Sequence, residues 1–256
     1  MIEESANALY RAERSCVPIA PLSERDPSLT PAPSYAIQSA WLDLLRKPCA
    51  QVVGQKIGLT SKAMQQQHGI NEPDSGFLLN TMVVPSGSAL PRSAFLVPRI
   101  DPEIAFWLAE DLHGPGVTAQ QMVAATQGVS AALELVDSRI ENWRIKRVDT
   151  IADNASSARL IVSQRFVSPQ ALDLALEGVE LWCDGERVGS GTGAAVLGHP
   201  AVAAAWLANQ LAEFGVSLLK GQAVLPGAMY AAVTVAPGKT YRAAYTNLGE
   251  VSVSFE

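Results

Sequence analysis

Three acidic residues set inside two apolar runs constrain this chain more than anything else in it. Residues 97–108 read as a strand, and in extended backbone residues two apart share a face, so Asp101 and Glu103 project together. Glu134 stands in a second apolar run, residues 129–136, short enough to be a buried strand. A carboxylate is costly to bury unless it is paired or binds a cation, so the fold must bring these groups to partners. Converging from two strands, they suggest one hard divalent ion, and an all-oxygen donor set selects Mg2+ or Mn2+ over zinc. The alternative at this level is pairing with arginine, and Arg99 and Arg139 are both at hand.

The rest of the chain supports small-molecule chemistry. With 48% hydrophobic and 17% charged residues over 256 positions it can bury a sizeable core, as one large domain or two small ones. A net charge of -6 argues against a general binder of nucleic acid or of anionic membranes. No apolar run approaches the ~18 residues of a membrane span, and the acidic start lacks the apolar core of a signal peptide, so a cytoplasmic protein is expected. Cys16, Cys49 and Cys183 lack metal-knuckle spacing and fit a reducing compartment.

Helical spacing predicts helices over residues 2–15 and 34–46, joined by a Pro-rich connector over 17–33, and this pair reads as a lead-in spanning residues 1–50. From residue 51 short strands alternate with Gly and Pro punctuation. Helices are expected near 61–67, near 118–126 with Thr118 and Gln121 as a capping box, and over 200–213 with Pro200 at its first position. Asp184-Gly185 signals a hairpin. Runs of strands with few helices between them predict an α+β core rather than a doubly wound sheet. Gly189-Ser190-Gly191-Thr192-Gly193-Ala194 looks faintly like a nucleotide loop, but it follows a hairpin strand, and a glycine-rich bend is the plainer reading.

Lys56 closes a Val-rich strand and is followed by Gly58, which suits an ammonium held near a bound carboxylate or enolate; a solvated lysine is the alternative. Asp74 lies in Glu72-Pro73-Asp74-Ser75-Gly76, which is turn chemistry.

Lys56-Ile57-Gly58-Leu59-Thr60-Ser61-Lys62, Glu72-Pro73-Asp74, Pro98-Arg99-Ile100, Ala132-Leu133-Glu134, Asp137-Ser138-Arg139, Ala152-Asp153-Asn154-Ala155-Ser156, Leu197-Gly198-His199-Pro200 and Ala205-Trp206-Leu207-Ala208-Asn209 occur in this order. Together they resemble the 2-hydroxypenta-2,4-dienoate (2-keto-4-pentenoate) hydratase and 4-oxalocrotonate decarboxylase family. The resemblance covers nearly the whole chain. It implies the fumarylacetoacetate-hydrolase-like fold, a mixed β-roll with peripheral helices, over residues 51–256. It also implies a Mg2+ or Mn2+ cofactor, a short 2-oxo or 2-hydroxy dienoate substrate, a homo-oligomer, and association between hydratase and decarboxylase members.

Carried over residue by residue, the resemblance puts the metal on Asp101, Glu103 and Glu134. It makes Lys56 and Asp74 the catalytic pair, with Leu59, Arg139, Ser156 and Gly227 at the substrate. Two departures stand out. The first ligand is Asp101, one methylene shorter than the family's Glu and followed by Pro102. The family's Ser or Thr before Gly227 is Pro226, which has no hydroxyl and no N–H.

Two activities divide the family. Hydration must activate water, and Asp74 with Lys56 supplies an acid–base pair for it; decarboxylation needs no such group, and its branch tends to carry an apolar residue at the position of Asp74. The sequence thus favours a hydratase acting on 2-hydroxypenta-2,4-dienoate. The alternatives are a 4-oxalocrotonate decarboxylase, a 2-oxohept-4-ene-1,7-dioate hydratase, and a non-catalytic 2-oxo-acid binding protein.

Overall fold

A computed structural model describes residues 1–46, 50–60 and 72–256. The helix expected near 61–67 lies outside the described residues, as do Cys49, Ser61, Lys62 and His68.

Helix α1 (Ile2–Ser15) buries Ala6, Leu9 and Ala12 on one stripe. After a single turn, α2 (Leu22–Arg25), comes α3 (Pro31–Leu45). This helix begins three residues before the expected start, because Pro31 suits a first helical position, where its missing N–H has no partner to lose. Leu9, Leu22, Ile37 and Trp41 form a small cluster of their own, which Ala152 joins to the rest of the molecule.

The strands in chain order are β1 (Val52–Gly58), β2 (Asp74–Leu79), β3 (Val83–Pro85), β4 (Ser88–Leu90), β5 (Arg99–Leu108), β6 (Thr126–Val136) and β7 (Ser157–Val162). They continue as β8 (Gly178–Cys183), β9 (Glu186–Thr192), β10 (Ala223–Leu225), β11 (Val233–Thr234), β12 (Thr240–Tyr245) and β13 (Gly249–Phe255). Between them lie α4 (Ala119–Ala124), α5 (Arg147–Ala152) and α6 (Pro200–Ala212). The capping box at Thr118 and Gln121 closes as expected, and Asp184-Gly185 joins β8 to β9 with both residues at positive φ. The expected helical site over 200–213 is α6, entered through His199, whose Nδ1 accepts from Ala201 N–H.

One sheet runs β2-β1-β10-β5-β6-β7-β3, with β11 also on β5; the other runs β4-β13-β12-β8-β9. The pairs β1–β10, β3–β7 and β4–β13 are parallel and the rest antiparallel, so the fold is the mixed α+β class expected. The glycine-rich run lies in β9 and the turn that follows it, with β9 an edge strand of the smaller sheet, antiparallel to β8. Among the described residues no helix is long and apolar enough to cross a membrane.

The period of two along β5 and β6 divides their faces. Ile100, Ile104, Phe106, Val129, Leu133 and Leu135 point into the main core with Val179, Leu181, Tyr241, Val251 and Val253 of the smaller sheet. Asp101, Glu103 and Glu134 take the other face. Strands β1 and β6 are three places apart in the larger sheet, about 14 Å if it were flat. Yet Lys56 Nζ of β1 lies 3.1 Å from Glu134 Oε2 of β6. The sheet therefore curls, and the acidic face lines its concave side.

Candidate active site

Antiparallel pairing sets Asp101 directly opposite Glu134, with Glu103 two residues along the same face. One oxygen from each lies within 4.8 Å of the others, and all three residues are buried. Asp101 Oδ1 and Glu134 Oε1 have no hydrogen-bond partner among the described residues. Burial, and then the charge of Glu134, push the Asp101 and Glu103 carboxyls well above the usual carboxylate range. Buried carboxylates that keep lone pairs unsatisfied at this spacing form a donor set for a hard divalent cation, so the residues present fit the ion that the sequence implies.

The third carboxylate is fixed by backbone. Glu103 Oε2 accepts the Gly227 N–H at 2.8 Å. Gly227 has φ +116°, and a Cβ there would lie 1.9 Å from Thr60 Oγ1, so only glycine fits. Gly227, expected at the substrate, is thus placed on Glu103, and its neighbour Ala228 lines the cleft. From the core side the Tyr245 hydroxyl lies 2.6 Å from Glu103 O and 2.8 Å from Ala132 O, fastening β5 to β6 at this level.

Pro102 sits between two of the acidic residues without breaking the pairing with β6. Its carbonyl accepts the Met229 N–H at 2.9 Å, on the edge away from β6. A residue's N–H and C=O share one edge of a strand, so the donor that proline lacks would have faced the gap between β10 and β11.

Lys56 stands over the acidic group. Its Nζ donates to Ala155 O at 2.9 Å and pairs with Glu134. Burial opposes its charge, but Glu134, Asp74, Glu103 and Asp101 outweigh burial and hold its pKa above the usual lysine value. Asp74 is not in the expected turn: it opens β2, paired with Gly58 of β1. A Cβ at Gly58 would lie 2.1 Å from Asp74 Oδ1, so this glycine makes room for the carboxylate. Burial raises the Asp74 pKa, and Lys56, Thr150 and Arg147 offset only part of that. Its Oδ1 is buried and has no partner among the described residues.

The carbonyl that holds Lys56 comes from an uncommon turn. Asn154, Ala155 and Ser156 have φ of 55°, 48° and 56°, three consecutive left-handed residues. Asn154 bonds both backbone groups of Phe77 through its side chain, at 2.7 and 3.0 Å. Asp153 braces the turn from below through Arg139. The guanidinium of Arg139 bonds Asp153 Oδ1 at 2.6 Å and Ser157 O at 2.9 Å, and it lies 4.7 Å from the Trp41 ring. Arg139, expected to bind substrate, is not among the cleft residues: its donors are spent on the turn.

Left-handed backbone costs a non-glycine residue ~1–2 kcal/mol, and glycine's greater freedom when unfolded takes back ~0.5–1. Ala155→Gly is therefore expected to raise the unfolding free energy by up to about 1 kcal/mol. Urea denaturation checks this, and a loss of stability would mean the turn is unstrained.

The three carboxylates line one cleft. Leu59 and Ser156 line it, as do Lys56 and Asp74. Sequence reasoning missed Arg99, Val136, Trp143, Ile145 and Thr150 on its wall. Arg99 had a signal, since it lies two residues before Asp101 and so shares its face. The guanidinium lies 4.2 Å from the Trp143 ring, with its Nε buried and unpartnered among the described residues.

No family model matches the chain. It is 40% identical over 256 residues to the 2-hydroxyhexa-2,4-dienoate hydratase of Comamonas testosteroni, covering 99% of this chain and 97% of that one. Among solved structures it is similar to 4-oxalocrotonate decarboxylase from Pseudomonas putida G7 complexed with magnesium and adipate. That match has a TM-score of 0.96 at 37% identity and covers 100% of this chain and 97% of that one. Fumarylpyruvate hydrolase from Pseudomonas aeruginosa, in complex with Mn2+ and pyruvate, shares the fold alone, with a TM-score of 0.63 at 15% identity over 78% of this chain and 88% of that one.

Proposed function

Since this chain belongs to the 2-keto-4-pentenoate hydratase and 4-oxalocrotonate decarboxylase family of fumarylacetoacetate-hydrolase-like lyases, we propose that it adds water to 2-hydroxypenta-2,4-dienoate to give 4-hydroxy-2-oxopentanoate. The observation that carries this reading is Asp74: a buried carboxylate with an open oxygen, on the cleft wall near Lys56. Water addition needs a group that exchanges a proton with water, and the raised pKa of Asp74 suits one that holds a proton and gives it up.

Asp101, Glu103 and Glu134 would hold Mg2+ or Mn2+. Bound there, the ion supplies Lewis-acid stabilisation of negative charge at the 2-oxygen of the substrate. Lys56, tethered to Glu134 and Ala155 O, keeps a positive charge and a proton donor at the same place. Leu59, Val136 and Ile145 offer apolar wall to the diene and exclude water from it. The test is the ultraviolet absorbance of the dienol with Mg2+ or Mn2+, together with identification of the 4-hydroxy product. Ketonisation alone, with no 4-hydroxy acid, overturns the reading.

A second reading rests on Arg99. Its guanidinium lines the cleft and makes no ion pair or hydrogen bond among the described residues, which suits a second carboxylate at the substrate's far end. That favours 4-oxalocrotonate decarboxylation or hydration of 2-oxohept-4-ene-1,7-dioate. A hydrogen bond to a charged group contributes ~1.5–3 kcal/mol, so Arg99→Met would lower kcat/KM for a dienedioate by about 10- to 100-fold and spare the five-carbon monoacid. Equal losses on both substrates count against it.

A further inference from the structure

The glycine-rich run of β9 has no part in the chemistry above, and its surroundings assign it one. Gly189 and Gly191 pair with Leu181 and Val179 of β8, both buried, so the two glycines occupy core-facing positions. Another stretch of chain takes the place of their side chains. A Cβ at Gly191 would lie 1.9 Å from Met229 O, and one at Gly189 would lie 2.1 Å from the Tyr230 ring.

The segment seated there is the break between β10 and β11. Both strands pair with β5, β10 at Phe106 and Trp107 and β11 at Arg99 and Ile100. Residues 226–232 therefore span the part of β5 that carries Asp101 and Glu103. Two of their N–H groups reach it: Met229 to Pro102 O at 2.9 Å and Gly227 to Glu103 Oε2 at 2.8 Å.

We propose that the bare face of β9 is a seat that holds residues 227–230 against the cation-binding strand, with Gly191 as a positioning residue for Glu103. The proposal rests on reading Asp101, Glu103 and Glu134 as a cation site. A methyl group at Gly191 would push the Met229 peptide outward by about an ångström, because heavy atoms do not approach closer than ~3 Å without strong repulsion. Met229 N–H lies one peptide unit before the displaced carbonyl and Gly227 N–H three units before it, so a shift carried back along this short segment costs Glu103 the donor that sets its rotamer. Partners of ligating carboxylates typically contribute about 10- to 100-fold in metal affinity.

Titration calorimetry with MnCl2 alone, on the full chain without substrate, tests this. Gly191→Ala is expected to weaken Mn2+ binding about tenfold or more. Gly193→Ala meets Leu174 O just as closely, at 1.8 Å, in a segment that makes no hydrogen bond to the three carboxylates among the described residues, and it is expected to keep the parent affinity. Equal affinity in the parent and Gly191→Ala, or equal losses in the two variants, would overturn the proposal. If Gly191→Ala does not fold, Tyr230→Ala vacates the Gly189 face without any collision; a several-fold loss of affinity supports the seat and none refutes it. A parent protein that binds no Mn2+ removes the cation reading itself, and the proposal with it.

Discussion

Glu134→Gln is expected to abolish divalent-metal dependence and lower catalysis by about three orders of magnitude, since a bound ion's stabilisation of charge is worth several kcal/mol and each ~1.4 is tenfold. The fold should survive. Gln keeps the size of Glu, and the substitution removes a negative charge from a group where Asp101, Glu103, Asp74 and Glu134 crowd around one lysine. Loss of the Lys56 partner costs stability and relief of carboxylate repulsion returns it, so the metal-free melting temperature is expected to change little. The difference appears on adding Mn2+. At about 100 times Kd a ligand stabilises the native state by ~2.7 kcal/mol, or about 5–10 °C for a chain of this size. The parent should show that rise and Glu134→Gln should not. Retained activity, or a retained thermal shift, would remove Glu134 from the cation site.

The second large effect belongs to Asp74. Positioned acid–base catalysis contributes about 10²- to 10⁴-fold, and Asp74→Asn should lower water addition by that amount. Metal-dependent ketonisation of the dienol, followed by deuterium uptake at C3 or C5, should fall much less, because it relies on the cation site and Lys56. Both steps dropping together would make Asp74 a residue that only shapes the cleft, through its place opposite Gly58. No change in either would leave the hydratase reading without its main support.

The acidic core of the site was legible in the sequence because the strand period does the work: Asp101 and Glu103 are two apart, and Glu134 stands alone in an apolar run. The register that sets Asp101 against Glu134 was not, since it depends on how far the chain between β5 and β6 travels before returning. Lys56 is brought to Glu134 by the curl of the sheet, which no local pattern encodes. Arg139 misled for a related reason. In the sequence it reads either as a partner for the buried acidic residues or as a substrate group, and only the fold shows that Asp153, fourteen residues on, takes its guanidinium. The helix α5 went unread because it is only six residues long, and its N-terminal carboxylate, Asp149, is also bonded from far away by Ser23.

The curl has a kinetic corollary. Lys56 and Glu134 are 78 positions apart and meet only once the two intervening strands, β10 and β5, have docked and the sheet has bent, so their contact belongs to the late, topologically expensive part of folding. Until then the carboxylates repel one another with no lysine between them. A cation that needs the closed arrangement has nothing to grip in the open chain, and its stabilisation should appear in the rate at which the roll opens and hardly at all in the rate at which it closes.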